Sequence, residues 1–444
     1  MSATAVARFT PLDEALGRLE AACSPVTGIV THVVRTLHGT DHASLPNHAC
    51  RLASARHTLG AATVEYGSGA AVSHAQARAA ALGEALERYS ATYLPTSRLL
   101  RTTARALGGR AVPPGRFALF HPAQLGQPSF PFAPFTEDTE LAFVEGVSLA
   151  DGAPAFAPAE LVFLRPPPPS DRPIAYPTSS GLACAPTARE AALAALLELV
   201  ERDAVMLAWN ASLSLPRITW SSDPTALRLA NRFFEPTGLR YAVVDGSAFL
   251  DVPVAIAVVH GAPGSGAALA VGAGCAAEPR AAWLKSLSEG FGVHRWLCSV
   301  TAGAPDRAPP APEEVQTFDD HMLFYARDEE ARLAAFLDAS PSSCPLDALP
   351  RLGGSTPEAL LDELVHRLAR RGVTAYAFDA TSPDVRSLGL HVVRAVAPEL
   401  CQLDVSHTAR FLGGERLFTA PSEVGLASRR LRLADVNPHP HPFP

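Results

Sequence analysis

Lysine is almost missing from this chain. It occurs once, at Lys285, and arginine supplies the other basic residues. With a formal net charge of −7 there is no basic footprint of the kind that binds nucleic acid. No apolar run reaches membrane-spanning length. The start "MSATAVARFTPLDEALGRLE" lacks the apolar core and small-residue cleavage site of a signal peptide. Cys23, Cys50, Cys184, Cys275, Cys298, Cys344 and Cys401 are scattered, with no Cys-x-x-Cys pair. That argues against a conventional disulfide framework and for a reducing, cytoplasmic location. Aromatic residues are few, at 7%, beside 48% hydrophobic and 18% charged residues, and 444 residues suffice for a large core.

What is present is an uneven alternation of patterns. Residues 1–22 include a short helix, and the β-branched run "SPVTGIVTHVVRTL" reads as a strand. "HGTDHASLPNH" reads as a polar turn, and "GSGAAV" as a glycine turn into a helix over His74–Tyr93. Residues 96–175 are punctuated by proline, with short strands such as "LAFVEGVSL". A second helix covers Ala188–Trp209, and "LRYAVVDG" and "VPVAIAVVHG" read as adjacent strands. "GAPGSGAALAVGAG" lacks the Gly-Lys-Ser/Thr ending of a phosphate loop, so it reads as a hairpin turn and bulge. It leads into a third helix over Pro279–Leu297. "PEALLDELVHRLARRG" is a further helix with a glycine stop, followed by the strand "VTAYAFDA" and the run "LHVVRAVAPEL". This order predicts an α+β fold, helices on mixed or antiparallel sheets, with weak internal duplication rather than a parallel βαβ series.

Charge enters the apolar helices in a repeated way. "GEALERYS" carries Glu84, Glu87 and Arg88, and "LELVERDA" carries Glu198, Glu201 and Arg202. On a helix Glu84 and Glu87 project about 60° apart, with Arg88 one turn from Glu84. Glu190 lies about three turns before Glu201, on the same face. The third helix adds Lys285 and Glu289, one turn apart. Beside packed leucines, carboxylates lose water and raise one another's pKa unless cations neutralise them. Mg2+ takes oxygen ligands and bridges to phosphates, so two acidic helices with arginines suit a metal and polyphosphate site. The alternative is that each turn is an ion pair on a solvated face. A single copy favours that alternative, and the second copy leaves both readings open. The group His32, His38, Asp41, His42, His48 and Cys50 matches no zinc spacing. Cys184 reads as a small buried residue rather than a reactive thiol.

"ALGEALERYSATY", "TSSGLACAPTAREAALAALLELVERDAVMLAW" and the terminal "NPHPHPFP" together resemble the YcaO-like azoline-forming cyclodehydratases. "SPVTGIV", "FPFAPF", "FVEGVSLADGAPAFAPAELVF", "FDATSPDV" and "LHVVRAVAPEL" fall in that family's order, so the resemblance runs from about residue 20 to the end. It implies a YcaO-type fold and an ATP-dependent enzyme. A Cys, Ser or Thr side chain of a ribosomally made precursor attacks the preceding carbonyl, ATP phosphorylates the amide oxygen, and a thiazoline or oxazoline results. The implied cofactors are ATP and Mg2+, held by Glu84, Glu87, Glu190, Glu198, Glu201 and Glu289. Glu84, Glu87, Glu198, Glu201 and Glu289 would be the metal ligands. Arg88 and Arg202 support them, and Lys285 stands where the family usually has arginine. The proline-rich end implies that the carboxylate of Pro444 lies near the reacting amide, giving Pro444, Arg88 and Arg202 catalytic roles.

The implied division is an N-terminal segment 1–56, an ATP-binding domain 57–435 and a tail 436–444 that reaches the active site. The implied partners are the precursor peptide and a separate ThiF-like or leader-recognising protein. A flavin dehydrogenase in the same complex and a homodimer are compatible with this; nucleic acid and membrane are not expected. The sequence departs from the family at Ala80, where serine is usual, and at Ser68 within Gly67-Ser68-Gly69, where lysine is usual. The loop Ser179–Thr187 differs as well, at Pro186 above all, which has no N–H to offer a phosphate. A non-catalytic paralogue acting as scaffold, or an enzyme making a thioamide or amidine, are the other readings.

Overall fold

Glycine spacing sets how closely helix and sheet approach in this protein. The computed structural model describes residues 8–36, 45–56, 60, 65–165, 167, 172–304 and 308–444. A helix α1 (Leu12–Glu20) precedes an antiparallel sheet of β1 (Val30–Arg35), β2 (Asn47–Leu52) and β3 (Tyr66–Ala70). Helix α2 (His74–Thr92), capped by the Ser73 hydroxyl, packs on β2 and β3. A second antiparallel sheet contains β4 (Leu100–Thr102), β5 (Leu141–Ser148), β6 (Pro154–Pro158) and β7 (Leu182–Ala185), with two later strands. Helix α3 (Ala188–Asn210), capped by Thr187, follows β7.

The third sheet holds β8 (Arg217–Thr219), β9 (Arg240–Asp245), β10 (Val254–His260) and β11 (Leu269–Cys275), and helix α4 (Pro279–Gly303) lies on it. Its last strand, β12 (Ser343–Pro345), pairs parallel to β8. Helix α5 (Pro357–Arg370), β13 (Tyr376–Asp379) and β14 (His391–Val396) follow, the two strands joining the second sheet in the order β4-β5-β13-β14-β7. The α+β class with mixed and antiparallel sheets is therefore as the pattern predicts.

The internal duplication has a definite form. β1-β2-β3-α2 and β9-β10-β11-α4 are the same unit, three antiparallel strands and a helix returning across them. In both, a Gly-x-Gly strand touches the helix backbone. A Cβ on Gly69 would meet Ala77 O at 2.4 Å, and one on Gly272 would meet Gly290 N at 2.2 Å. "GSGAAV" is thus mostly strand rather than turn, and "LAVGAG" is a regular strand without a bulge. Read locally, these glycines suggest a bend; the actual requirement is room for a helix. Asn47 and His48, expected in a polar turn, open β2 instead, where His48 is buried.

Sheet 1 straddles residue 56, because β1 and β2 precede it and β3 follows it. Leu19, Val30 and Leu52 share one apolar cluster with Leu82, Leu86 and Phe143. Helix α3 packs against β7 and β14 of one sheet, β10 and β11 of another, and α5. Leu196, Val205, Leu207 and Trp209 join Val244, Ile256, Val258 and Val271 in the largest cluster. Each fully buried side chain of this kind contributes about 1.5–3 kcal/mol. No helix among the described residues is long and apolar enough to cross a membrane.

Candidate active site

Helix α3 is buried on nearly every side, as Ala191, Leu193, Leu196, Val200, Leu207 and Trp209 all lie in the core. A helix apolar all round belongs inside a protein. Its charges therefore do not form an array on a solvated face: the Glu201 side chain is 1% exposed and that of Arg202 13%. The copy on α2 is more open, with Glu84 and Arg88 paired at 2.7 Å and each 29% exposed.

The duplicated units each present one glutamate in the same way. Glu84 accepts from the Ser68 N–H at 2.6 Å, and Glu289 accepts from the Ala273 N–H at 2.7 Å. In both cases the donor is the middle residue of the Gly-x-Gly strand. Between them, Glu201 accepts from the Cys275 N–H and from Lys285 Nζ, both at 2.8 Å, and Arg202 Nε lies 4.0 Å away. Arg202 Nη2 is 3.7 Å from Glu198. Lys285 occupies, in its unit, the position that Ala80 has in the other: the Cβ built on Gly274 meets the Lys285 Cβ, and that on Gly69 meets the Ala80 Cβ.

The carboxylates differ in protonation for identifiable reasons. Burial and the neighbouring Glu198 push the Glu87 carboxyl well above its ordinary range, against the pull of Arg88 and Arg394. Burial also raises Glu198, and burial with Glu201 raises Glu289. Glu201 moves the other way: burial would raise it, but Lys285, Arg202 and the Cys275 N–H outweigh that and hold it below the usual range. Lys285 is in turn raised, because Glu201 and Glu289 override its burial.

One member of this group is absent from the sequence reading. Arg394 on β14 is 3% exposed and interacts with Glu198 and Glu87. Burial lowers its pKa to about 10 while those two carboxylates support it. Its guanidinium donates to the carbonyls of Val162 at 3.0 Å, Thr178 at 2.5 Å and Ser180. It therefore supplies positive charge to the glutamates and pins the Thr178–Ser180 loop that enters β7. The available signal was an arginine inside the otherwise apolar "LHVVRAVA" run.

Glu190 stands apart. It accepts from the Thr10 N–H at 2.6 Å, the Thr10 hydroxyl at 3.1 Å and the Thr187 hydroxyl at 2.9 Å. Eight residues, about 12 Å of helix, separate it from Glu198. Pro444, at the far end of the chain, does arrive: Arg202 Nη1 donates to its terminal oxygen at 2.9 Å. Cys184 is partly buried beside Glu87, and burial pushes its thiol up, away from the thiolate. In the N-terminal group, His48 contacts His74 at 3.3 Å and the Cys50 thiol donates to Ala81 O at 3.1 Å. His38, Asp41 and His42 lie outside the described residues.

Among the described residues no three His, Cys, Asp or Glu side chains form a ready metal cage. Mg2+ does not require one, since it keeps waters and commonly binds through one or two carboxylates plus phosphate oxygens. The donor set fits it. Five carboxylates, Glu84, Glu87, Glu198, Glu201 and Glu289, meet Arg88, Arg202, Lys285 and Arg394, and three of the five hold their protons above the ordinary range. Such a surplus of negative charge suits a hard divalent cation. Arg202 Nε is buried without a hydrogen-bond partner, a donor suited to an added anion such as phosphate.

The chain has no match among curated proteins. Among solved structures it is similar to a heterocyclase in complex with substrate and cofactor, at 23% identity and a TM-score of 0.81 over 100% of this chain and 59% of that one. It is also similar to the heterocyclase TruD, at 24% identity and a TM-score of 0.67 over 84% of this chain and 52% of that one. A YcaO protein of Methanopyrus kandleri bound with AMPPCP and Mg2+ matches at 21% identity, TM-score 0.61, over 86% and 89% of the two chains. The chain thus spans little more than half the length of the two heterocyclase chains. The family model described as YcaO cyclodehydratase, ATP- and Mg2+-binding, matches residues 68–401, which include Glu84, Glu87, Glu198, Glu201 and Glu289. The protein belongs to the YcaO cyclodehydratase family, whose cofactors are ATP and Mg2+.

Proposed function

We propose that this protein is the ATP-dependent cyclodehydratase component that forms thiazolines or oxazolines in a ribosomally made precursor peptide. The observation that carries the reading is the meeting of Pro444 O, at the end of the proline-rich segment, with Arg202 beside Glu198 and Glu201. Bound Mg2+ and ATP would supply an electrophilic phosphoryl group whose charge is already partly neutralised. Glu84, Glu87, Glu198, Glu201 and Glu289 would hold the metal, while Arg88, Arg202 and Lys285 would face the phosphates. Phosphoryl transfer is mostly positioning and charge neutralisation, which this mixed array provides. The Pro444 carboxylate, placed against Arg202, would take the proton of the attacking side chain or the amide. Overall the peptide loses one water per ring, and the amide oxygen leaves in phosphate, with ADP as the other product.

A leader-recognising or ThiF-like partner is part of this proposal. A scaffold without turnover is the second reading, and it draws on three residues. Ser68 spends its N–H on Glu84, Pro186 offers no N–H, and Glu190 is engaged by Thr10.

The test combines precursor, partner and Mg2+-ATP, followed by mass spectrometry and phosphate assay. One water lost per ring with phosphate and ADP is expected, abolished in Glu84→Gln and Glu201→Gln. AMP as product would sink the phosphorylation route. A protein that binds no nucleotide and releases no phosphate would be the scaffold.

A further inference from the structure

The segment 436–444 runs through the interior, with Phe443 fully buried and His441 2% exposed. Proline at 438, 440, 442 and 444 removes four of its nine N–H donors, so it is held mainly through its carbonyls. Trp209 Nε1 donates to His439 O at 3.1 Å, the Tyr325 hydroxyl to Pro440 O at 2.5 Å, and His321 Nδ1 to His441 O at 2.9 Å. The His441 ring lies flat on His321, centroids 3.8 Å apart at 12°. His441 Nε2 donates to Asp404 O at 2.8 Å, which leaves Nδ1 to accept the Phe443 N–H at 3.2 Å. These partners assign the His441 ring as the neutral Nε2–H tautomer. The next residue is Pro444, on Arg202.

Packing alone does not account for His321. It is fully buried, where an imidazole needs hydrogen-bond partners that leucine in the same space would not. What the imidazole adds is the bond to the tail and the stacked face for His441. Tyr325, equally buried, likewise spends its hydroxyl on the tail.

We propose that His321 and Tyr325 are positioning residues for the C-terminal carboxylate. By gripping the carbonyls of His441 and Pro440 they set the reach of the proline-rich segment, so that Pro444 lies on Arg202 beside the glutamates. What the carboxylate does there rests on the cyclodehydratase reading; where it is held does not.

The experiment uses the full chain with its partner and precursor, comparing Tyr325→Phe, His321→Leu and wild type with one glycine added after Pro444. Hydrogen exchange is followed in the peptide 436–444, whose N–H groups are those of Val436, Asn437, His439, His441 and Phe443. Both substitutions should speed exchange there. They should also lower kcat for phosphate release by about tenfold to a hundredfold, the scale of an ångström-level misplacement, while the Kd for Mg2+-AMPPCP stays within about twofold. The added glycine should lower kcat similarly with exchange unchanged, because the grip is intact and only the carboxylate has moved. Unchanged exchange in both substituted proteins overturns the proposal, and so does faster exchange with undiminished kcat. A wild type without turnover removes the cyclodehydratase reading alone, and exchange then decides whether these residues hold the tail.

Discussion

Replacing Lys285 with methionine should cost more stability than replacing its partner Glu201 with glutamine, although both break one 2.8 Å ion pair. The asymmetry comes from exposure: the Lys285 side chain is 49% exposed and that of Glu201 1%. In Glu201→Gln the amide oxygen still accepts the Cys275 N–H, and the freed ammonium turns to water. The loss is one charge-assisted bond, about 1.5–3 kcal/mol, reduced by solvent screening on the lysine side to about 1–2 kcal/mol. In Lys285→Met a buried carboxylate remains, with Arg202 Nε 4.0 Å away as its nearest cation. Stranding a buried charge costs about 3–5 kcal/mol, and Arg202 keeps the expected value near the lower figure.

The two variants also differ in sign with pH. In the wild type Glu201 titrates below its unfolded value, so its stabilisation is present above about pH 4.3 and is lost as pH falls through the folded value. In Lys285→Met the main lowering influence is gone and burial prevails, so the folded value rises above the unfolded one. That penalty is full at neutral pH and is relieved on acidification as the carboxylate protonates. Urea unfolding at pH 7.5 and pH 5.5 reads both effects. Lys285→Met should recover part of its loss at the lower pH and Glu201→Gln should not. Costs that are equal, or that add in the double variant to within about 0.5 kcal/mol, would refute the reasoning.

Gly272→Ala should unfold the protein or lower its stability by more than about 3 kcal/mol, because its Cβ would sit 2.2 Å from the backbone of Gly290. Gly83→Ala, in α2 with nothing within 4 Å, should instead gain about 0.5–1 kcal/mol; thermal melts compare the two. Mg2+-AMPPCP should raise the melting temperature more at pH 8 than at pH 5.5, since Glu87, Glu198 and Glu289 hold their protons above the ordinary range and a cation must displace them. Equal shifts at both values would contradict that linkage. Arg394→Met should leave three carbonyls unpaired and cost about 3 kcal/mol or more, with faster hydrogen exchange over residues 178–182. Arg394→Lys should recover only part, lacking the planar fork.

The charged helices were legible because helical periodicity is local. The expected spans His74–Tyr93 and Ala188–Trp209 differ by one residue from α2 and α3. The glycine strands were not legible, because what Gly69 and Gly272 make room for is another element's backbone. Glu190 shares a helix face with Glu201 by spacing, yet Thr10, 180 positions away, holds its carboxylate. Arg394 escaped notice since a lone arginine in a strand reveals nothing of the carboxylates it will meet.

The sequence by itself determined which residues carry charge into apolar helices, that the fold is α+β, and that its end is stiff with proline. Each depends on neighbours within a few positions. Only the tertiary structure decided which charges meet. It paired Ser68 with Glu84 and Ala273 with Glu289 as one repeated device, set Lys285 on Glu201, and brought Pro444 to Arg202. These contacts span up to 242 positions. Coulomb energy depends on distance and on the water excluded between charges, and neither is fixed until the sheets have packed.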